Sequence, residues 1–164
     1  MNKSTGNMYP WVTHTWNPIK GKCPHECSYC YMRRFPLPPL HLDEKTLKDN
    51  LGVSNFIFVG SSTDMWAKEV PGDWINKVLT RCNTWNYHHD FQYPNTYLFQ
   101  SKNPLRFSEY LTYFPDRTIF GTTIETNRCS CEYSKAPFTY ERYPAICDLK
   151  GYRKMVSIEP VMDF

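Results

Sequence analysis

A chain of 164 residues, 41% hydrophobic and 21% charged, has the apolar content for one hydrophobic core and too little for two. The net charge is +3 and the longest basic run is Arg33-Arg34, which excludes the concentrated positive stripe of a strong nucleic-acid binder but admits an anionic ligand. No segment approaches the roughly 20 apolar residues of a membrane-spanning helix, and the polar opening of residues 1–10 lacks the apolar stretch of a signal peptide. The expected location is cytoplasmic, with no membrane association.

The first strand is predicted at about Trp11 to Trp16. Three prolines within Pro36–Pro39 make the stretch to Leu40 extended or looped. Asp43 is placed to cap a helix running toward Leu51, with Leu47 and Leu51 on one face. Phe56-Ile57-Phe58-Val59-Gly60 is a continuous apolar run, as expected of a strand buried on both faces.

Asp73 is read as the cap of the next helix, where Trp74, Ile75, Val78, Leu79 and Cys82 follow the helical repeat and make Cys82 a core residue. A polar loop containing His88-His89 leads to a strand at Thr96 to Gln100. Asn103-Pro104 predicts a capped helix with Phe107, Leu111 and Phe114 inward. A fourth strand follows at Thr118 to Ile124, a weaker helix at Thr139 to Leu149, and a fifth strand at Met155 to Ile158.

This alternation predicts an α/β fold: about five strand–helix units with a parallel sheet, as an open sheet or a partial barrel. One domain over residues 1–164 is expected. Its last strand has no covering helix, so it must be an edge or be covered by a partner.

Seven cysteines are an odd number with three crowded into eight residues, and in a reducing compartment such clustering points to a metal or redox chemistry rather than to disulfides. Cys23, Cys27 and Cys30 lie within eight residues, in the loop after the first strand. Thiolates are the usual ligands of iron–sulfur clusters, and three of them leave one iron of a four-iron cluster open. The competing reading is a zinc site with His25 as fourth ligand. His25 is awkwardly placed between two cysteines for that purpose and reads better as a solvated or supporting residue.

The Cys-x-x-x-Cys-x-x-Cys spacing with Tyr29 before the third cysteine resembles the signature of the radical S-adenosylmethionine superfamily. Tyr31 and Trp16-Asn17-Pro18 are similar to the spore photoproduct lyase-like branch and to phage Gp37/Gp68-type proteins. The resemblance implies a partial (β/α) barrel, here expected to lack its last strand–helix unit. It also implies a 4Fe–4S cluster on Cys23, Cys27 and Cys30, and S-adenosylmethionine bound at the open iron. Reductive cleavage would then give a 5′-deoxyadenosyl radical that abstracts hydrogen from an unknown substrate, nucleic acid among the candidates. The reductant would be a protein such as flavodoxin or ferredoxin.

Barrel enzymes carry function at the C-terminal strand ends. There the resemblance nominates Ser61, Ser62 and Asp64 for the methionyl ammonium, in place of the superfamily's usual Gly-Gly-Glu-like motif. Lys102 is nominated for a carboxylate, Glu125 and Glu159 for ribose hydroxyls, and Tyr29 for the side of the adenine. The acidic residues suit helix caps or ion pairs almost as well, Arg33-Arg34 suits a wet surface, and Tyr29 suits a loop anchor. Cys129-Ser130-Cys131 reads as apolar filler ahead of a substrate-facing thiol or a second cluster site with Cys147. Two alternatives stand beside the radical enzyme: a zinc-stabilised binding module, and a shortened relative that holds a cluster without turnover unless a partner completes the barrel.

Overall fold

The computed structural model describes residues 1–6, 8–89, 93–128 and 132–162. In chain order these form β1 (Asn2–Lys3), β2 (His14–Trp16), the ribbon β3 (Ile19–Lys20) and β4 (His41–Leu42), α1 (Glu44–Leu47) and β5 (Phe56–Val59). They continue with α2 (Gly72–His89), β6 (Thr96–Ser101), β7 (Thr118–Thr123), α3 (Thr139–Cys147) and β8 (Arg153–Ser157). Tyr31–Arg34 and Pro104–Tyr113 are 3₁₀ helices.

Among the described residues, six strands form one sheet in the order β1-β2-β5-β6-β7-β8. β2, β5, β6, β7 and β8 run parallel, and β1 pairs antiparallel with β2. This is an α/β fold, a partial barrel whose sheet does not close. The five predicted strands are the five parallel ones, and their order in space follows their order in sequence, so every C-terminal end lies at the same rim. The small strands β1, β3 and β4 carry too few residues for a periodic signal. The first strand is also shorter than expected: Val12 is buried but Trp11 is exposed.

Alternation along the strands divides the apolar residues between two faces. Ile57, Val59, Tyr97, Phe99 and Phe120 pack on the helix side with Trp66, Ile75, Val78, Leu79 and Cys82, all buried. Trp66 sits at the centre, edge-on to Phe99, Phe107 and Tyr110 and stacked on Phe114. On the opposite face Phe58, Leu98 and Ile119 pack with Val12, and Met8 and Tyr9 close over them. Tyr9 stacks on Trp11 and Phe58, so the segment before β2 lines the inside of the open barrel.

Local chemistry shifted several helix boundaries. Asp43 does cap α1, its Oδ1 accepting from Lys45 N and Thr46 N at 3.0 Å. The helix nevertheless ends at Leu47, and Leu51 is buried beyond it. Asp73 lies inside the first turn of α2 rather than capping it, because Pro71 O accepts the first helical bonds. His88 and His89 belong to the backbone of α2, not to a loop.

The Pro104–Tyr113 segment winds as a 3₁₀ helix instead of an α-helix. Its buried residues Pro104, Phe107 and Tyr110 recur every three positions, which suits three residues per turn. Leu111 is therefore only half-buried. Asn103 does not cap this helix; its Nδ2 donates to Trp66 O at 3.0 Å. No helix among the described residues is long and apolar enough to cross a membrane.

Candidate functional site

The cysteine loop hangs over the C-terminal rim of the sheet, held from both sides. On the β5 side, Asn17 Oδ1 accepts from Ser61 Oγ at 3.2 Å and from Ser62 N at 3.1 Å, and Thr63 Oγ1 donates to Gly21 O at 2.9 Å. On the other side, Ser28 N donates to Tyr133 O and Lys135 N to His25 O, both at 2.7 Å. These bonds satisfy loop backbone groups that would otherwise be buried unpaired.

Cys27 is buried, with its Sγ 3.1 Å from Ser134 Oγ, while Cys23 and Cys30 are half-buried. All three line one cavity of about 150 Å³, with Ser61, Ser62 and Asp64 on its wall. Burial pushes the Cys23 thiol up to about 12, and the carboxylate of Asp64 adds to the effect. Cys27, Cys30, Ser61 and Lys102 also border an adjoining cavity of about 780 Å³, which extends to Tyr9, Tyr29 and Glu159. That volume lies within the usual range for small-molecule sites. A hollow of about 860 Å³ behind His25 carries both signs of charge (Lys68, Arg106, Glu109, Glu141) and none of the three cysteines.

Asp64 is a hub beneath the loop. Oδ2 lies 2.9 Å from His25 Nε2 and accepts from Lys102 N at 2.8 Å, Oδ1 accepts from Trp66 N at 3.0 Å, and Ser101 Oγ reaches both oxygens. Burial alone would raise its pKa, but His25 and the backbone donors outweigh that and hold the carboxyl below its ordinary value. An ionised carboxylate only accepts, so His25 Nε2 carries the hydrogen between them. Of the two readings of His25, the supporting one matches its place: it is buried and bonded rather than solvated, and its Nε2 is already engaged rather than free to complete a zinc site.

Glu125 forms a second hub. It is fully buried, and Oε2 accepts from Arg142 Nη1 at 2.8 Å and from Lys102 Nζ at 3.3 Å, while Oε1 accepts from the Tyr29 hydroxyl. Burial raises its pKa and the charges of Lys102 and Arg142 with the Tyr29 hydroxyl lower it, for a net value below the usual carboxylate. The Tyr29 phenol is raised, first by burial and then by Glu125, and stays a neutral donor. Lys102 Nζ stands 5.2 Å above the Tyr29 ring. Glu125 therefore lies behind the cavity wall, orienting Tyr29 and Lys102, which do line the cavity.

Of the other nominated residues, Ser61 and Ser62 sit directly beside the three cysteines. Glu159 is exposed at the far side of the larger cavity, with Tyr9 OH 3.5 Å from its Oε2. Cys129, Ser130 and Cys131 lie outside the described residues. Cys82 is core, Cys147 is exposed, and Arg33-Arg34 is on the surface.

Four contributors carried no sequence signal: Tyr9, Gln100, Ser134 and Arg142. Tyr9 OH donates to Gln100 Oε1 at 3.0 Å, and Gln100 Nε2 donates to Thr123 Oγ1 at 2.9 Å, bridging two strand ends. Arg142, in the helix α3, is fully buried against Glu125, Thr123 O and Pro137 O.

Among the described residues, no three His, Cys, Asp or Glu side chains converge on a point that would hold a single metal ion. A four-iron cluster asks for something else, since each thiolate takes its own iron and the sulfurs surround the cluster. Three cysteines lining one cavity, free of disulfides, have the donor chemistry for that group.

A search of solved structures finds this architecture elsewhere. A cysteine-to-serine mutant of spore photoproduct lyase matches with a TM-score of 0.69 at 13% identity, covering 98% of this chain and 48% of that one. In fold, the chain is similar to spore photoproduct lyase. A cysteine-to-alanine mutant of the lyase with dinucleoside spore photoproduct matches with a TM-score of 0.66, also at 13% identity, over 97% of this chain and 50% of that one. The chain thus spans about half the length of the lyase, and the likeness is one of fold. The likeness to phage Gp37/Gp68-type proteins gains no support from these matches. No protein-family model matches the sequence, and no curated protein does.

Proposed function

We propose that the chain is a radical S-adenosylmethionine iron–sulfur protein, with Cys23, Cys27 and Cys30 holding a 4Fe–4S cluster. The observation that carries this reading is the shared cavity of those three cysteines at the C-terminal rim of a sheet similar to that of the lyase. When bound, the cluster and S-adenosylmethionine would supply reductive sulfonium cleavage and a 5′-deoxyadenosyl radical for hydrogen abstraction.

The chain's own residues bind and orient. Ser61 and Ser62 offer hydroxyls to an ammonium next to the cysteines, and Lys102 offers a cation to a carboxylate. Asp64 has its oxygens committed to donors of the chain, so its part is to hold the cysteine loop and contribute negative charge nearby. Glu125 acts through Tyr29 and Lys102, and Glu159 closes the outer side. The rings of Tyr9, Tyr29, Tyr31 and Phe58 around the larger cavity suit a planar substrate. The dinucleoside in one matched structure supports a nucleic-acid substrate. A flavodoxin or ferredoxin in the cytoplasm would supply electrons.

The exposed apolar residues of the edge strand support a second reading, a cluster held without turnover until a partner covers β8. The edge strand and the residues just beyond its end expose Val156, Ile158 and Val161. Anaerobic reconstitution with iron and sulfide, then dithionite and S-adenosylmethionine, separates these readings beside a Cys27→Ala variant. Iron, labile sulfide and 5′-deoxyadenosine in the parent alone support the enzyme. Iron without 5′-deoxyadenosine supports the second reading. One zinc and no colour, or equal cleavage by Cys27→Ala, overturns both.

A further inference from the structure

Residues 133–136 follow the cysteine loop by about a hundred positions yet clasp it closely. Besides the two backbone bonds already described, Lys135 Nζ meets Glu26 Oε2 at 2.5 Å. At the centre of the clasp is Ser134, whose residue is 7% exposed. Its Oγ lies 3.1 Å from Cys27 Sγ and 3.3 Å from His25 O, and it accepts from Ala136 N at 3.1 Å.

A hydroxyl has one hydrogen to give. While Cys27 is a thiol, its S–H can point at Ser134 Oγ and the hydroxyl hydrogen can serve His25 O. A metal-bound thiolate has no hydrogen and only accepts. The hydroxyl hydrogen then belongs on sulfur, and His25 O still keeps Lys135 N at 2.7 Å. No buried group is orphaned by the exchange, so the arrangement accommodates both states of Cys27.

We propose that Ser134 is a positioning residue that donates a hydrogen bond to the Cys27 thiolate and raises the reduction potential of the group this thiolate holds. The proposal rests on the cluster reading above. Its physical basis is that a donor at sulfur draws off negative charge, which favours the more reduced and more negative state. Ser134 touches neither substrate nor cofactor and acts through Cys27.

The test compares parent, Ser134→Ala and Ser134→Thr proteins, reconstituted anaerobically and titrated for cluster potential by electron paramagnetic resonance. Ser134→Ala is expected to shift the one-electron reduction equilibrium up to tenfold toward the oxidised form, about 59 mV more negative. Ser134→Thr, which keeps the hydroxyl, should return the parent value. Equal potentials in parent and Ser134→Ala at equal iron content would overturn the proposal and leave the cluster reading intact. A parent that takes up no iron sinks both.

The metal-free protein supplies a second measurement. The Raman S–H stretching band of Cys27, assigned by its loss in Cys27→Ala, should differ between parent and Ser134→Ala, because Ser134 Oγ either accepts from the thiol or donates to its sulfur. A band at the same frequency in both overturns the contact on which the proposal stands.

Discussion

Arg142 Nη1 and Glu125 Oε2 meet at 2.8 Å with neither side chain exposed to solvent. Two charges so deeply buried survive because most of their bonding capacity is used: Arg142 also donates to Thr123 O and Pro137 O, leaving its Nη2 without a partner among the described residues, and Glu125 also accepts from Lys102 and Tyr29. The pair ties α3 to the tip of β7 and fixes two residues on the cavity wall. Arg142→Met should destabilise the chain by about 3–5 kcal/mol, because it strands a buried carboxylate. In urea unfolding, Arg142→Met combined with Glu125→Leu should lose less than the two single changes added together. Strict additivity would mean the pair is not coupled.

The depressed carboxyls give stability a pH dependence of known sign. Glu125 is held below its ordinary value by Lys102, Tyr29 and Arg142 against its burial, and Asp43 by Lys20 and the Thr46 N–H and hydroxyl. The unfolded chain, with carboxyls near 4, takes up these protons first as pH falls. Their stabilisation is therefore complete above about pH 5 and drains away below the unfolded values. Melting temperature should be level from pH 7 to 5 and then fall, and Glu125→Gln should fall less steeply. An acid limb unchanged by the substitution would contradict the assignment of Glu125.

Gly21 marks the entry to the cysteine loop at φ +105°, and a Cβ there would collide with Pro39 O. Neither the backbone angle nor the proline segment leaves space for a methyl. Gly21→Ala should lose about 1–3 kcal/mol from backbone strain alone. The Lys22 N–Pro38 O bond of 2.9 Å should break as well. Thermal melting would show the loss, and faster alkylation of half-buried Cys23 and Cys30 would show the displaced loop. Parent-like thiol reactivity would mean that the proline segment does not buttress the loop.

Trp66 is fully buried among Phe99, Phe107, Tyr110 and Phe114, at the junction of β6, the long 3₁₀ helix and the loop below Asp64. Its backbone N–H also bonds Asp64. Trp66→Ala should lose about 3–5 kcal/mol through the cavity it leaves. Trp66→Phe should lose much less. Chemical denaturation distinguishes the two, and equal losses would contradict the packing role, since the indole Nε1 has no hydrogen-bond partner among the described residues.

Much of the scaffold was legible because its signals are local. Four strands carry apolar runs and α2 carries a clear helical repeat, while right-handed strand–helix alternation leaves few arrangements other than a parallel sheet. The cysteine spacing was legible for the same reason, being a pattern within eight residues. Boundaries were less so. Pro71 O displaced Asp73 as the start of α2, and the three-residue period of Pro104, Phe107 and Tyr110 hid within what reads as an α-helical face.

The amino-acid order alone determined the succession of the five parallel strands and that three thiols share one short loop, since both follow from neighbours along the chain. Only the tertiary structure decided what surrounds those thiols. His25 and Asp64 are 39 residues apart, Glu125 and Arg142 are 17, and Cys27 and Ser134 are 107. Such pairings leave no periodic trace, because a buried charge or hydroxyl is tolerated only where folding delivers its partner within hydrogen-bonding distance.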